Sequence, residues 1–116
     1  MEMTVTQEGD RRLVLACSGR MGWDERDELP QRISSLLGEA ERPQVLMDFE
    51  MVDFVNSAGI GALFHLAQIL QKRDGALILA RVPPALAHLF ATVGLDRRIR
   101  ITETLDEARA ALDALE

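Results

Sequence analysis

Asp48-Phe49-Glu50-Met51-Val52-Asp53-Phe54-Val55-Asn56-Ser57-Ala58-Gly59-Ile60-Gly61 runs from a buried-strand pattern, through an acidic connection, into the first turn of an amphipathic helix. The run Gln44-Val45-Leu46-Met47-Asp48-Phe49 is apolar enough for a strand covered on both faces, the habit of parallel sheets. Downstream, Ile60, Leu63, Phe64, Ala67 and Leu70 recur at intervals of three and four, which predicts a helix from Ser57 to Arg73, ended by Gly75. Ser57 stands at the junction. A hydroxyl there can cap the helix, or it can carry a phosphoryl group held by the helix's unpaired amides.

Working outward, Met3–Thr6 and Arg12–Ser18 read as two strands split by the turn Glu8-Gly9-Asp10. Gly19 to Trp23 read as a loop. A helix follows with Leu29, Ile33, Leu36 and Leu37 on one face, closed by Gly38, with Asp24 or Asp27 as its cap. Pro30 belongs near the start of that helix, because an interior proline loses a hydrogen bond and costs about 3 kcal/mol. After Gly75, Ala76–Val82 predicts a fourth strand. Pro83-Pro84 opens a short helix carrying Leu86, Leu89, Phe90 and Val93, stopped by Gly94. Ile99-Arg100-Ile101 is a short fifth strand. Thr104 and Glu107 form a capping box for a last helix with Leu105, Ala108, Leu112 and Leu115 on one side. Strands alternating with helices imply parallel pairing and an α/β domain.

Composition narrows the function. The chain has 116 residues, 47% hydrophobic and 28% charged, which suits one folded domain spanning 1–116 without staples. No apolar run is long enough to span a membrane, and the N-terminus lacks a basic-then-apolar signal segment, so no membrane association is expected. Cys17, the one cysteine, sits in an apolar run and reads as a buried small hydrophobe, compatible with a reducing cytoplasm. A net charge of −6 argues against direct nucleic-acid binding, which needs cations to displace counterions. Lys72-Arg73 fits a helix C-terminus facing its own dipole.

Candidate chemistry is sparse. His65 and His88 lie on different predicted helices without ligand-like spacing, so no metal or other cofactor is expected. No GxSxG serine exists. Gly59-Ile60-Gly61 resembles the start of a dinucleotide fingerprint, but Phe64 replaces the third glycine, and helix packing explains both glycines. A phospho-aspartate receiver built on Asp48 would need acidic residues after the first strand and a late lysine; the chain offers Ser18-Gly19-Arg20 and only Lys72. No set of convergent titratable groups suggests an enzyme.

With these residues in view, the chain resembles the anti-sigma-factor antagonists of the STAS family. There a strand ending in an acidic residue leads through a hydrophobic stretch into Asp-Ser-Ser/Thr-Gly-Leu-Gly. The matching run is Val52-Asp53-Phe54-Val55-Asn56-Ser57-Ala58-Gly59-Ile60-Gly61. A proline-initiated short helix ending in Gly-Leu, Pro84 to Leu95, also matches. The resemblance implies a STAS fold: an α/β domain with a mostly parallel central sheet, an N-terminal hairpin and four helices. It further implies a non-enzymatic switch. Ser57 would be phosphorylated by a partner that is both serine kinase and anti-sigma factor. The unphosphorylated form would bind that partner, and a PP2C-type phosphatase would reset it.

The physics of the junction is compatible with such a switch. Phosphorylation adds about −1.5 to −2 charge, next to Asp48, Glu50 and Asp53 in the sequence. Losing about 3 kcal/mol of binding is roughly a hundredfold in affinity. Two positions depart from the family pattern. Asn56 replaces the aspartate before the serine, keeping the capping group but not the charge, and Gly19 is followed by Arg20-Met21-Gly22 rather than an acidic residue. Ala58 replaces the second hydroxyl, leaving Ser57 as sole acceptor. The expected partner surface comprises Arg20, Met21, Trp23, Asp53, Asn56, Ser57, Ala58, Gly59 and Ile60. The alternative is a STAS scaffold or sensory module, never phosphorylated, in a larger signalling or transport assembly.

Overall fold

The computed structural model describes residues 1–115. β1 (Glu2–Glu8) and β2 (Arg12–Met21) form an antiparallel hairpin, followed by α1 (Trp23–Leu37), β3 (Gln44–Val55), α2 (Ser57–Lys72) and β4 (Ala76–Ala80). Then come α3 (Pro84–Thr92), a 3-10 turn (Leu95–Arg97), β5 (Arg100–Thr102) and α4 (Leu105–Asp113). The sheet order is β1-β2-β3-β4-β5, and every neighbour pair after the hairpin is parallel.

The two faces of β3 explain the layering. Val45, Met47 and Phe49 share one buried cluster with Leu13, Leu15, Leu77 and Leu79 of the adjacent strands. Leu63 and Leu66 of α2, Ile33 of α1 and Phe90 of α3 cover that face. Leu46 points the other way and joins Ile78 and Ala80 beneath Ala108 and Leu112 of α4. Period-two alternation in the strands and the helix stripes therefore meet as two separate cores. Cys17 is buried in the first core; desolvation, with the nearby Asp48 charge adding to it, pushes its thiol up to about 12.

Several expectations need correction. The predicted loop Gly19–Trp23 is strand as far as Met21, and the acidic connection 50–55 is the second half of β3. Ser18 pairs with Met51, Gly19 with Val52, Arg20 with Phe54 and Met21 with Val55, with register shifts on either side of Gly19. Each shift gives β3 one more residue than β2, so Val52 and Val55 are both buried although three residues apart. A bulge destroys the alternation by which a strand is recognised. β4 ends at Ala80, shorter than expected, and β5 starts at Arg100.

Helix α1 begins at Trp23 and is capped by Gly22, whose amide donates to Glu25 Oε1 at 2.6 Å, rather than by Asp24 or Asp27. Pro30 is not near its start but well inside, buried between turns carrying Leu29 and Ile33; apolar burial offsets the hydrogen bond it cannot make. Leu36, expected on the buried face, is 46% exposed, and Leu115 is exposed after α4. In α2 the stripe is turned by one position: Ala62, Leu63, Leu66 and Leu70 are buried, while Ile60, Phe64 and Ala67 are half-buried. The Thr104–Glu107 cap forms as expected, the Glu107 amide donating to Thr104 Oγ1 at 3.0 Å.

Gly75 marks the tightest crossing. A Cβ there would lie 2.3 Å from the Pro43 carbonyl oxygen. Gly75→Ala should cost about 1–3 kcal/mol, the usual cost of overpacking, read as a lower urea midpoint with an unchanged slope. A second outcome concerns pH. Because the folded Cys17 thiol holds its proton to about 12 against an ordinary 9.0, the folded state binds more protons between those values. Stability is then complete below pH 9 and declines as pH rises above it. The chain has no tyrosine and a single lysine to mask the effect. Urea titrations of Cys17→Ala between pH 8 and 11 should show a shallower decline than the parent chain.

Candidate functional site

Asn56 ties together the elements around Ser57. Its backbone amide donates to the Met21 carbonyl at 3.1 Å, joining the ends of β2 and β3. Its Oδ1 accepts from the Gly59 amide at 3.0 Å, and its carbonyl accepts the first helical bond, from Ile60, at 3.0 Å. Asn56 is therefore the N-cap of α2, and Ser57 is the first residue inside it. The capping role open to Ser57 is already filled. Its side chain is exposed, and among the described residues its hydroxyl makes no hydrogen bond. The amides of Ser57 and Ala58 belong to the open, electropositive end of the helix, whose first turn carries no acidic residue.

Gly59 shows why the helix can start here. A Cβ would lie 2.6 Å from the Met21 carbonyl oxygen and 2.9 Å from Val55 Cγ1, so only glycine lets α2 descend onto the ends of β2 and β3. Gly61 differs. Nothing lies within 4 Å of an added Cβ, so it is not the packing glycine that its spacing suggested. It instead helps line an open cleft of about 430 Å³, with Ser57, Ala58 and His65 on the α2 side and Trp23, Arg26 and Asp27 on the α1 side. Trp23 is 68% exposed, with the Arg26 guanidinium 5.9 Å from its ring centroid.

Of the residues expected to form the surface, the fold brings Trp23, Ser57 and Ala58 into this cleft. Arg20 stacks 4.6 Å over the exposed Phe54, at the last pairs of β2 and β3 before the junction. Asp53 is exposed on the bulged part of β3, and Ile60 is half-buried. Met21 is fully buried, and with Gly59 it contributes packing rather than side-chain surface. Arg26, Asp27 and His65 were not foreseen. Ser57, Gly61 and His65 do share one i, i+4 row, which was the available signal; the approach of α1 had none.

The chain matches the STAS domain family model over residues 3–108. It belongs to the STAS domain family. BtrV of Bordetella bronchiseptica, named as an anti-sigma factor antagonist, is 23% identical over 110 residues, covering 94% of each chain. The fold is shared with the anti-sigma factor antagonist SpoIIAA in its unphosphorylated form (TM-score 0.80, 19% identity, 97% of each chain covered). The phosphorylated form of the Bacillus protein superposes with a TM-score of 0.70 at 20% identity, over 99% of this STAS domain and 100% of that chain. A sulfate transporter family protein of Wolinella succinogenes also has the fold (TM-score 0.79, 17% identity, 95% and 90% covered).

The geometry ranks the two junction residues. Asn56→Ala should cost about 0.5–2 kcal/mol, the usual loss of a capping side chain, while Ser57→Ala should stay within about 0.5 kcal/mol. Chemical denaturation of both variants tests this; a serine cap would reverse the order.

Proposed function

We propose that this STAS domain is an anti-sigma factor antagonist working by partner switching, with Ser57 as the phosphorylated residue. The observation that carries the reading is the exposed Ser57 hydroxyl, left unbonded by the Asn56 cap and opening on a cleft beside an exposed tryptophan. In the unphosphorylated state the cleft and the Arg20–Phe54 ledge dock on an anti-sigma factor that is also a serine kinase. A PP2C-type phosphatase reverses the modification, and the cycle runs in a reducing cytoplasm. The relatives named as antagonists support the partner class, and the two forms in which SpoIIAA is known support the chemistry.

The physical logic needs no refolding. A phosphoryl group on Ser57 places about −1.5 to −2 charge beside the open amides of α2 and across the cleft from Arg26, with Asp27 as the opposing charge. It fills the space a partner side chain would occupy and makes the docking surface more negative. The domain itself supplies no catalytic group. Trp23 is the natural anchor, being aromatic and presented beside a pocket.

Incubation with ATP and the cognate anti-sigma kinase should transfer one phosphoryl group to the parent chain and none to Ser57→Ala. In titrations, Ser57→Ala should bind the kinase like the parent, Ser57→Asp about a hundredfold more weakly, and Trp23→Ala at least about tenfold more weakly. Gly61→Ala should stabilise α2 by about 0.5–1 kcal/mol yet weaken binding by narrowing the cleft. A chain that neither gains phosphate nor forms a complex sinks the proposal. Equal binding by Ser57→Ala and Ser57→Asp would favour the unphosphorylated scaffold, the use suggested by the fold's presence in a transporter family protein and by the uncharged Asn56.

A further inference from the structure

The far end of α2 from Ser57 faces a second cleft, of about 510 Å³. Ala67, Ala111 and Leu115 provide an apolar wall, and among the described residues the charged ones lining it are Arg97, Arg98 and Arg100. Their convergence is built into the backbone. Leu95 and Ile99 are buried at 0% and 1% exposure and pin the 3-10 turn to the core. The intervening Arg97 and Arg98, and then Arg100 at the start of β5, are left exposed along the rim.

What sets these arginines apart is that all three line one cleft; Arg20, Arg26 and Arg32 also lack a carboxylate partner among the described residues but stand elsewhere. Arg12, Arg81 and Arg109 are each paired with carboxylates, from Asp113 and Glu8, Asp48 and Glu50, and Glu8 respectively. Among the described residues, Arg97, Arg98 and Arg100 pair with no carboxylate, although acidic residues outnumber basic ones by 19 to 13. Arg98 lies 6.0 Å over the Phe64 ring, which leaves its donors available. Among the described residues the lining contains no Asp, Glu, His, Cys, Ser or Thr, so they offer neither a nucleophile nor a base. It is a place to bind, not to react.

We propose that this cleft binds a small amphiphilic anion, with a phosphate or carboxylate head held by the arginine fork and an apolar body against Ala67, Ala111 and Leu115. Guanidinium groups grip such heads through paired N–H donors, and the volume falls in the range of small-molecule sites. Unpaired cations around an apolar wall are the complement of that ligand. The α2 residues of the site, Ala67 to Gln71, lie about 15–20 Å from Ser57 along the helix, so a ligand there does not touch Ser57.

The test is titration of the full chain with octyl phosphate and with octanoate below their micelle concentrations, followed by methyl and arginine-side-chain NMR. The methyl signals of Ala67, Ala111 and Leu115 and the Nε signals of the three arginines should shift together and saturate. Inorganic phosphate should move the arginine signals alone, and more weakly. Arg97→Ala combined with Arg100→Ala, both exposed, should raise the dissociation constant at least tenfold with an unchanged urea midpoint. Shifts that do not saturate, that survive in the double variant, or that centre on the Ser57 cleft overturn the proposal. So does binding only to vesicles of anionic phospholipid with no saturable octyl phosphate site, which would make the arginines a membrane-surface patch.

Discussion

One side chain and one missing side chain hold the domain's central turn. Asn56 accepts from the Gly59 amide through its Oδ1 and donates its own amide to the Met21 carbonyl, while the bare Cα of Gly59 lets α2 settle against that same carbonyl. Three elements, β2, β3 and α2, meet within van der Waals contact at this point. Everything that gives Ser57 its character follows from it. The cap frees the serine hydroxyl, the close approach fixes the axis of α2, and that axis aligns Gly61 and His65 opposite Trp23 and Arg26 on α1.

The strand leading to this turn needs support, because β4 ends opposite Asp48 and leaves the rest of β3 paired only with β2. Arg81 supplies it. Its backbone takes a left-handed conformation (φ 55°), uncommon for a side chain of this size. Its guanidinium reaches back to Asp48 Oδ1 at 3.1 Å and to Glu50 Oε2 at 3.0 Å. The hydrogen bond to Asp48 is the main cause of its raised proton affinity, with both carboxylate charges adding to it. The carboxylates that looked like an acidic connection in the sequence are therefore a clamp on the unpaired edge of β3, and charge on such an edge also discourages pairing with a further strand.

Legibility followed physical locality. The span of α2, the Thr104 cap and the apolar run of β3 depend on neighbours within four residues, and each could be read from spacing alone, although the face α2 buries is turned by one position. The continuation of β2 and β3 could not. Two bulges shift the pairing around Gly19, so Val52 and Val55 fall out of alternation and the strand reads as connection. Pro30 misled for a related reason: its local cost is real, but it is buried inside α1, and burial offsets that cost. At the site, the i, i+4 row from Ser57 to His65 was visible in principle, whereas Arg26 and Asp27 arrive from another helix.

By itself the sequence determined the alternation of strands and helices, the cap chemistry at Asn56-Ser57 and the family that the motif resembles, because hydrophobic period and capping are properties of short segments. Only the tertiary structure decided which of two neighbouring glycines packs and, among the described residues, which arginines gather on one cleft without carboxylates. Those outcomes depend on contacts between segments far apart in the chain, such as Gly59 with Met21 and Gly75 with Pro43. Space and pairing there are set by the three-dimensional approach of elements whose local patterns are silent about one another.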